Sequence, residues 1–179
     1  MTRRVSVAPP DPQWASGFEA EAQEIQIALG AGCLAIHHVG STSIPGIYAK
    51  PVLDLLVAVT TIDVMDERCP QMTALGYEAL GEYGLPGRRF FRKDDADGVR
   101  SHHVHSYAQG SAELHRHLAF RNFMRAHPPL AQQYSDLKRR LARDHPEDME
   151  AYMAGKDGFI QEMEQRALVW EREKERRPA

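Results

Sequence analysis

The chain has 179 residues, of which 42% are hydrophobic and 26% are charged. This composition is close to that of an average globular protein and excludes collagen, a coiled coil and disorder along the whole chain. The formal net charge of −3 argues against a dedicated nucleic-acid-binding protein, which usually carries a strongly basic face. We therefore expect a single domain over residues 1–179 that binds no nucleic acid.

Cysteine content and the N-terminus predict a soluble, cytoplasmic protein. Cys33 and Cys69 lack metal-ligand spacing and are expected to be mostly buried, reduced thiols, with a disulfide between them as the alternative. The N-terminal residues include two arginines with no apolar core behind them, unlike a secretory signal. The longest apolar run, residues 52–59, is interrupted by Asp54 and is far shorter than the ~20 residues of a membrane span.

Helix and strand signals alternate along the first two thirds of the chain. Asp11 and Pro12 predict a helix start, and apolar residues at helical spacing continue that helix to about residue 29. The following segments are predicted to be strands at 34–39, 51–59, 77–80, 88–93 and 99–107 and a helix at 62–75 that is interrupted near Pro70. This pattern predicts an α+β fold built on a small mixed sheet.

The C-terminal part, about residues 111–175, is predicted to be helical. Its helices are expected to start at Ser111, Pro128 and Pro146. The last helix is expected to bend at Gly155 or Gly158 and to fray over residues 171–179. No Gly-rich dinucleotide or P-loop motif is present in the chain.

A turn of small residues joins the first two predicted strands. It contains Gly40, Ser41 and Thr42, and the strand that follows carries Asp54. Glycine lets the backbone approach a phosphate closely, and hydroxyl and N–H groups can bond its oxygens. A carboxylate on the neighbouring strand can hold a divalent cation against that phosphate. The alternative is an ordinary β-turn, with Asp54 bound by backbone donors.

Asp54 interrupts a strand that is otherwise apolar. Alternation places Asp54 on the same face as Leu56 and Ala58, with Leu53 and Leu55 on the other face. A charged side chain among apolar neighbours is costly unless it is paired or binds a metal. We therefore expect Asp54 to lie at a strand end that borders a cleft.

Histidine is abundant, with nine residues in the chain. His103 and His105 stand at i and i+2, and therefore on one face of a predicted strand. With Asp54 they would offer two nitrogens and one carboxylate, which suits Zn²⁺, Mn²⁺ or Fe²⁺ better than Mg²⁺. The alternatives are contact with a phosphate and a hydrogen-bonded, exposed strand face. His38, which directly precedes the small-residue turn, is a further candidate.

Basic side chains could bind a phosphate, for which the planar arginine fork is well suited. Arg88 and Arg89 follow a Pro-Gly turn and would point to opposite faces of a strand, so at most one lines a cleft. Arg121 and Lys138 lie on later predicted helices, where the alternative is a solvated side chain. Lys50 belongs to the same stretch as Asp54.

Short motifs with a common order and spacing occur along nearly the whole chain. They are Asp11-Pro-Gln-Trp14, His38-Val-Gly-Ser-Thr-Ser-Ile-Pro-Gly46, Ala49-Lys-Pro-Val-Leu-Asp54, Leu75-Gly-Tyr77, Pro86-Gly-Arg-Arg-Phe-Phe91, His103-Val-His105, His117-Leu-Ala-Phe-Arg-Asn122, Tyr134-Ser-Asp-Leu-Lys138 and residues 152–156. Together these motifs resemble the GrpB family, a bacterial family with a nucleotidyltransferase-like fold.

The resemblance implies the fold of the nucleotidyltransferase superfamily, in which a Gly-Ser turn precedes a strand with paired acids. Leu56 stands at the second acid position, so the usual two-metal carboxylate pair is incomplete. His37 stands where the family usually has a glutamate. The resemblance also favours Arg89, Arg121 and Lys138 as phosphate-binding residues, and it implies no particular substrate.

These signals predict a metal-dependent transferase that acts on a nucleotide or another phosphorylated small molecule, with Mg²⁺, Mn²⁺ or Zn²⁺ as cofactor. The catalytic and metal-binding residues would be Asp54, His103 and His105. The phosphate would be bound by His38, Gly40, Ser41, Thr42, Lys50, Arg89, Arg121 and Lys138. The alternative is a non-catalytic binding or accessory module, which Leu56 favours, as do relatives fused to dephospho-coenzyme A kinase. A third candidate is a metal- or phosphate-dependent hydrolase that uses the histidine strand. Ser41 is disfavoured as a hydrolase nucleophile, because no G-x-S-x-G elbow is present.

Overall fold

A computed structural model of the protein describes residues 4–176. Its helices and strands are α1 Gln13–Leu29, β1 Cys33–Val39, β2 Leu53–Val59, α2 Asp63–Glu67, α3 Cys69–Ala74, β3 Glu78–Ala79, β4 Arg89–Asp94, β5 Arg100–Ala108, α4 Ala112–Ala126, α5 Pro128–Asp144 and α6 Met149–Glu175. The predicted α+β fold with a mixed sheet and a helical C-terminal part is confirmed.

The five strands form one sheet in the order β1-β2-β5-β4-β3. β2 pairs with β5 in parallel, whereas the other three pairings are antiparallel. The parallel pair lies inside the sheet, and its strands are far apart in sequence because α2, α3, β3 and β4 lie between them. Residues of β2 and β5 thereby become neighbours.

The two faces of the sheet pack against different helices. Leu53, Leu55 and Val57 of β2 face a core that also contains buried residues of α1, α2 and α3. Leu56 and Ala58 face the opposite side, where they pack near α4. A third cluster joins α4, α5 and α6 to the segment between β1 and β2. Asp54 shares the face of Leu56, so it points toward the side of the sheet that carries the helical C-terminal part.

Local signals account for most helix boundaries. The Asp11 carboxylate accepts a hydrogen bond from the backbone of Gln13 at 2.8 Å, and Ser111 caps α4 by accepting from Leu114 at 3.2 Å. The predicted helix over residues 62–75 is divided into α2 and α3, with Pro70 in the first turn of α3, as its missing N–H allows.

The last helix differs from its prediction in two ways. It begins at Met149, where Asp148 accepts from the backbone of Ala151 at 2.9 Å, and not at Pro146. It also continues without interruption past both glycines to residue 175. Gly155 has a packing role instead, because a Cβ there would lie 2.5 Å from Leu141 of α5. The end of the predicted frayed segment, residues 177–179, lies outside the described residues.

Two further predictions concern the thiols and the membrane. Cys33 is buried and Cys69 is partly buried, and both are free, so the alternative disulfide is absent. Within residues 4–176, no helix combines the length and apolar character needed to cross a membrane.

Candidate functional site

Asp54 on β2 and two histidines on β5 form a cluster on one face of the sheet. In the parallel pairing, Asp54 lies opposite His103, and Leu56 lies opposite His105. Alternation therefore points the carboxylate and both imidazoles to the same side. Oδ1 of Asp54 lies 3.2 Å from Nδ1 of His103 and 3.4 Å from Nε2 of His105. The structure thus brings Asp54 next to two histidines that lie 49 and 51 positions later in the sequence.

The environment of Asp54 favours its ionised form. Burial alone would raise the pKa of this carboxyl, but hydrogen bonds and positive charge from His103 and His105 outweigh burial and hold the pKa well below its usual range. The turn that contains Gly40 lies close to the other carboxylate oxygen of Asp54. Gly40 has φ +71°, and a Cβ at this position would lie only 2.4 Å from Oδ2 of Asp54, so only glycine permits this approach.

The three side chains could hold a divalent metal ion. One nitrogen of each histidine and one oxygen of Asp54 all lie within 4.8 Å of one another. Two ligands of a tetrahedral Zn²⁺, each ~2.1 Å from the ion, are roughly 3.4 Å apart, which is close to the 3.2 and 3.4 Å separations in the cluster. Two imidazoles and one carboxylate suit Zn²⁺, Mn²⁺ or Fe²⁺ and leave further positions for substrate or water.

Metal binding would displace the protons that Nδ1 of His103 and Nε2 of His105 direct at Asp54, because an ionised carboxylate only accepts hydrogen bonds. Nδ1 of His105 lies 3.5 Å from Nη1 of Arg88, and a guanidinium can only donate hydrogen bonds. When the imidazole is neutral, this arrangement places its proton on Nε2, which faces Asp54. Coordination through Nε2 would transfer that proton to Nδ1 and open the contact with Arg88, which at 3.5 Å is weak.

The cluster lies in the wall of a cavity of about 580 Å³. This volume falls in the range of small-molecule sites, roughly 300–1,000 Å³. Basic and hydroxyl side chains share the cavity with Asp54, namely Ser41, Thr42, Lys50, Arg88, Lys138 and Lys156. Four basic side chains against one carboxylate suit an anionic ligand.

Two of these lysines are buried. Lys138 is 1% exposed, and its Nζ donates to the carbonyl of Tyr48 and lies 4.4 Å from the centre of the Tyr134 ring. Burial and the nearby charge of Lys156 lower the pKa of Lys138 to about 7. Burial and the charge of Lys50 lower the pKa of Lys156 to about 8. A bound anion would restore the full charge of both, because a neighbouring negative charge raises a lysine pKa.

We expect the substitution Lys138→Met to remove part of the pH dependence of stability. Lys138 has an ordinary pKa of 10.5 and a pKa of about 7 in the fold, so between these values the unfolded chain binds more protons. The free energy of unfolding should therefore rise with pH across this window, by at most about 1.4 kcal/mol per pH unit. Denaturant unfolding between pH 7 and 10 should give a shallower dependence of the unfolding free energy on pH for the variant.

The control is Arg143→Met, because Arg143 lies on the same helix and its side chain is 75% exposed. If the unfolding free energy of Lys138→Met changed with pH in parallel with that of the native chain, the lowered pKa of Lys138 would be contradicted.

His38 lies behind the cavity wall and contacts Thr42. Nε2 of His38 is 2.9 Å from Oγ1 of Thr42, which itself donates to the carbonyl of Val52 at 3.3 Å. The imidazole also stacks on the Phe18 ring, with centroids 4.8 Å apart. Burial and the charge of Arg125 lower the pKa of His38 to about 4, so it is neutral at pH 7. Its contacts orient Thr42, and it does not itself line the cavity.

One of two adjacent arginines lines the cavity, as the alternation predicts, but it is Arg88 and not Arg89. The Arg89 guanidinium makes a two-pronged ion pair with Asp66 at 2.7 and 2.8 Å. Arg88 is buried and donates to the carbonyls of Glu82 at 3.1 Å and Tyr83 at 2.7 Å. The two-residue period of a strand predicts that the side chains of Arg88 and Arg89 point to opposite faces. It does not predict which of these faces lines the cavity.

Arg121 lies outside the cavity as well. Its Nη1 donates to the carbonyl of His38 at 3.1 Å, and its other nitrogens donate to the side chain of Asn122. It therefore ties α4 to the end of β1. Burial lowers its pKa, and its contacts are those of a structural side chain.

Nine residues that line the cavity are not among the site residues predicted from the sequence, and Arg88, Tyr152 and Lys156 are three of these nine. Tyr152 and Lys156 stand four positions apart on α6, so they share one helix face. Tyr152 is fully buried, and its hydroxyl has no hydrogen-bond partner within the described part of the chain. Tyr152 and Lys156 both belong to the GrpB-like motif at residues 152–156, but that motif predicts no role for either residue.

The fold is nucleotidyltransferase-like, as the sequence predicts. A structure of the Cid1 poly(U) polymerase with MgGTP bound superposes with a TM-score of 0.53 at 13% identity, covering 76% of this chain and 44% of that chain. At this identity the likeness concerns the fold alone. A family model described as GrpB protein matches residues 4–166, and the chain therefore belongs to the GrpB family.

Individual relatives agree with the family model. The crystal structure of conserved protein GrpB from Enterococcus faecalis superposes with a TM-score of 0.87 at 43% identity, covering 92% of this chain and 98% of that chain. UPF0157 protein YqkA of Bacillus subtilis is 41% identical over 170 residues, which is 95% of this chain but only 49% of YqkA. A dephospho-CoA kinase of Mycolicibacterium paratuberculosis is 27% identical over 191 residues, covering 46% of that protein. The chain thus spans about half the length of YqkA and of this kinase.

Proposed function

We propose that this chain is a metal-dependent transferase that acts on a nucleotide or another phosphorylated small molecule. The observation that carries the proposal is the convergence, in one cavity, of a two-histidine, one-carboxylate cluster and four basic side chains. Each feature alone is compatible with a structural role. Their combination matches the needs of phosphoryl and nucleotidyl transfer, which depends on positioning and on neutralising charge.

The residues divide into two roles. Asp54, His103 and His105 would hold the metal, and a metal there would neutralise phosphate oxygens and increase the electrophilicity of phosphorus. Lys50, Lys138, Lys156 and Arg88 would bind the remaining phosphate oxygens, together with the hydroxyls of Ser41 and Thr42. The closed packing of Gly40 against Asp54 would keep the carboxylate oriented while substrates exchange.

The alternative is a binding module that has lost catalysis, and a specific observation favours it. Leu56 occupies the second acid position of the superfamily and is fully buried in an apolar cluster with Val39, Ala58, Tyr107 and Leu114. A second carboxylate on β2 is therefore excluded by packing, so any metal chemistry would depend on the histidines of β5. The kinase likeness agrees with an accessory role beside a nucleotide-handling enzyme.

Metal-dependent ligand binding and product formation test the proposal. Protein purified without a polyhistidine tag and stripped of metal should bind Mn²⁺ or Zn²⁺, and the metal should increase the thermal stabilisation by a nucleoside triphosphate. Pyrophosphate release or label transfer should then be detectable with candidate acceptors. The double substitution His103→Ala with His105→Ala should abolish the thermal stabilisation that depends on the metal. His115 is an exposed histidine on α4, so His115→Ala should retain this stabilisation.

The outcomes separate the two candidates. Metal-dependent binding with product formation supports the transferase. Metal-dependent binding without product, across a range of acceptors, favours the binding module. Absence of metal binding at micromolar concentrations would overturn the transferase, and the cluster would then be a hydrogen-bonded structural feature of the sheet. Absence of nucleotide binding as well would overturn the binding module.

A further inference from the structure

The mouth of the cavity carries exposed apolar side chains. Seven large hydrophobic residues are exposed within residues 4–176, and three of them line this one cavity. They are Tyr83 at 59% exposure, Leu85 at 39% and Met153 at 51%. Apolar surface gathered beside a polar cavity is typical of a ligand-binding surface. The phosphate groups of a ligand would not use it, because these three side chains carry no positive charge.

Aromatic rings connect this mouth to the metal cluster. The Tyr83 ring stacks on Phe90, with centroids 5.2 Å apart and planes inclined by 15°. Phe90 in turn lies 5.4 Å from the His103 ring and 5.2 Å from the His105 ring. The Arg88 guanidinium lies 4.9 Å from the centre of the Phe90 ring. Tyr83 is thus the outermost ring of a stack that reaches the cluster.

The backbone of Tyr83 is held in an unfavourable conformation. Its φ of +44° is the only positive value at a non-glycine position in the described residues, and this conformation is sterically unfavourable for a residue with a side chain. Arg88 stabilises it, since its side chain donates to the carbonyl of Tyr83 at 2.7 Å and to that of Glu82 at 3.1 Å. Glu82 also accepts from the backbone of Gly87 at 2.8 Å. The exposed ring is therefore presented by a loop with defined geometry.

We propose that Tyr83, with Leu85 and Met153, forms a platform for the planar aromatic ring of a phosphorylated ligand. This inference rests on the proposed function and narrows its substrate class from phosphorylated small molecules in general to nucleotides. The basic side chains bind the phosphates in the cavity, and the exposed Tyr83 face stacks with the base. Stacking on a tyrosine uses the π-face that every base has, so the platform accepts several bases.

ATP and inorganic tripolyphosphate both contain a chain of three phosphates, and comparing their binding tests this platform. ATP carries an aromatic ring, whereas inorganic tripolyphosphate has none. With Mn²⁺ present, isothermal titration should give ATP roughly tenfold tighter binding than tripolyphosphate. Tyr83→Ala should remove most of this preference and leave tripolyphosphate binding unchanged, and Tyr83→Phe should retain it. Met153→Ala, on a different element, should reduce ATP binding without altering the Tyr83 loop.

Each outcome has a distinct meaning. Selective loss of ATP binding in Tyr83→Ala and Met153→Ala supports the platform. Equal binding of both probes by the native chain, or an equal weakening of both in Tyr83→Ala, would overturn the platform and leave the phosphate site intact. Failure of the native chain to bind either probe would overturn the platform together with the proposed function. Melting temperatures of all variants exclude loss of binding through unfolding.

Discussion

The substitution Asp54→Asn is expected to weaken binding of Mn²⁺ or Zn²⁺ by roughly 100-fold or more, because it replaces the single charged donor of the cluster. It should also lower stability. Since the pKa of Asp54 is held below its ordinary value by two histidines, the ionised carboxylate stabilises the fold above the unfolded pKa of ~3.9, and this contribution is lost as the pH falls. We expect a cost of about 1–3 kcal/mol at pH 7.

Titration calorimetry with metal at pH 7, and denaturant unfolding at pH 7 and at about pH 2.5, below the unfolded pKa of Asp54, measure these effects. The stability difference between the native chain and Asp54→Asn should shrink at the lower pH. Asp66→Asn is a matched control, because Asp66 also pairs with a basic residue but has a 51% exposed side chain outside the cavity. An Asp54→Asn protein that binds metal as tightly as the native chain would contradict the metal assignment, whatever its stability.

The second large effect is expected from Gly40→Ala. The added Cβ would lie 2.4 Å from Oδ2 and 3.0 Å from Cγ of Asp54, so either the turn or the carboxylate must move. Steric displacement of this kind costs about 1–3 kcal/mol, in addition to roughly 1–2 kcal/mol for an alanine at positive φ. Because the displaced carboxylate is the proposed metal ligand, metal affinity should fall along with stability.

Gly46→Ala separates strain from steric displacement. Gly46 has φ +77° in the same connection between β1 and β2, and a Cβ there would meet no heavy atom within 4 Å. It should show the backbone cost alone, with native metal binding. Unfolding and metal titration of both variants provide the comparison. Equal effects of the two substitutions on metal affinity would show that contact between Gly40 and Asp54 is unimportant.

Much of the fold follows from local patterns. The alternation in β2 correctly assigns Leu53 and Leu55 to one face and Leu56 and Ala58 to the other. The turn residues and the change to helical periodicity after residue 110 also match the structure. Misplaced boundaries, such as the start of α6, occur where a proline and a capping aspartate compete as start signals.

The histidine cluster is partly predictable from the sequence, whereas the four basic side chains of the cavity are much less predictable. The i, i+2 spacing places His103 and His105 on one face, but only the β2–β5 pairing, which is non-local, brings them to Asp54. Lys138 and Lys156 come from two different helices, and nothing in their local sequence indicates burial. Arg89 fits the phosphate-binding motif as well as Arg88 does, and the choice between them depends on the orientation of β4 relative to the cavity.

The most direct measurement is the anomalous scattering of a crystal of the native chain grown with Mn²⁺ or Zn²⁺. We predict one strong peak about 2.0–2.2 Å from Oδ1 of Asp54, Nδ1 of His103 and Nε2 of His105. The same crystal should show the Arg88 side chain released from His105. Absence of a peak at these three atoms, with both histidines still hydrogen-bonded to Asp54, would contradict the metal site on which the proposed function depends.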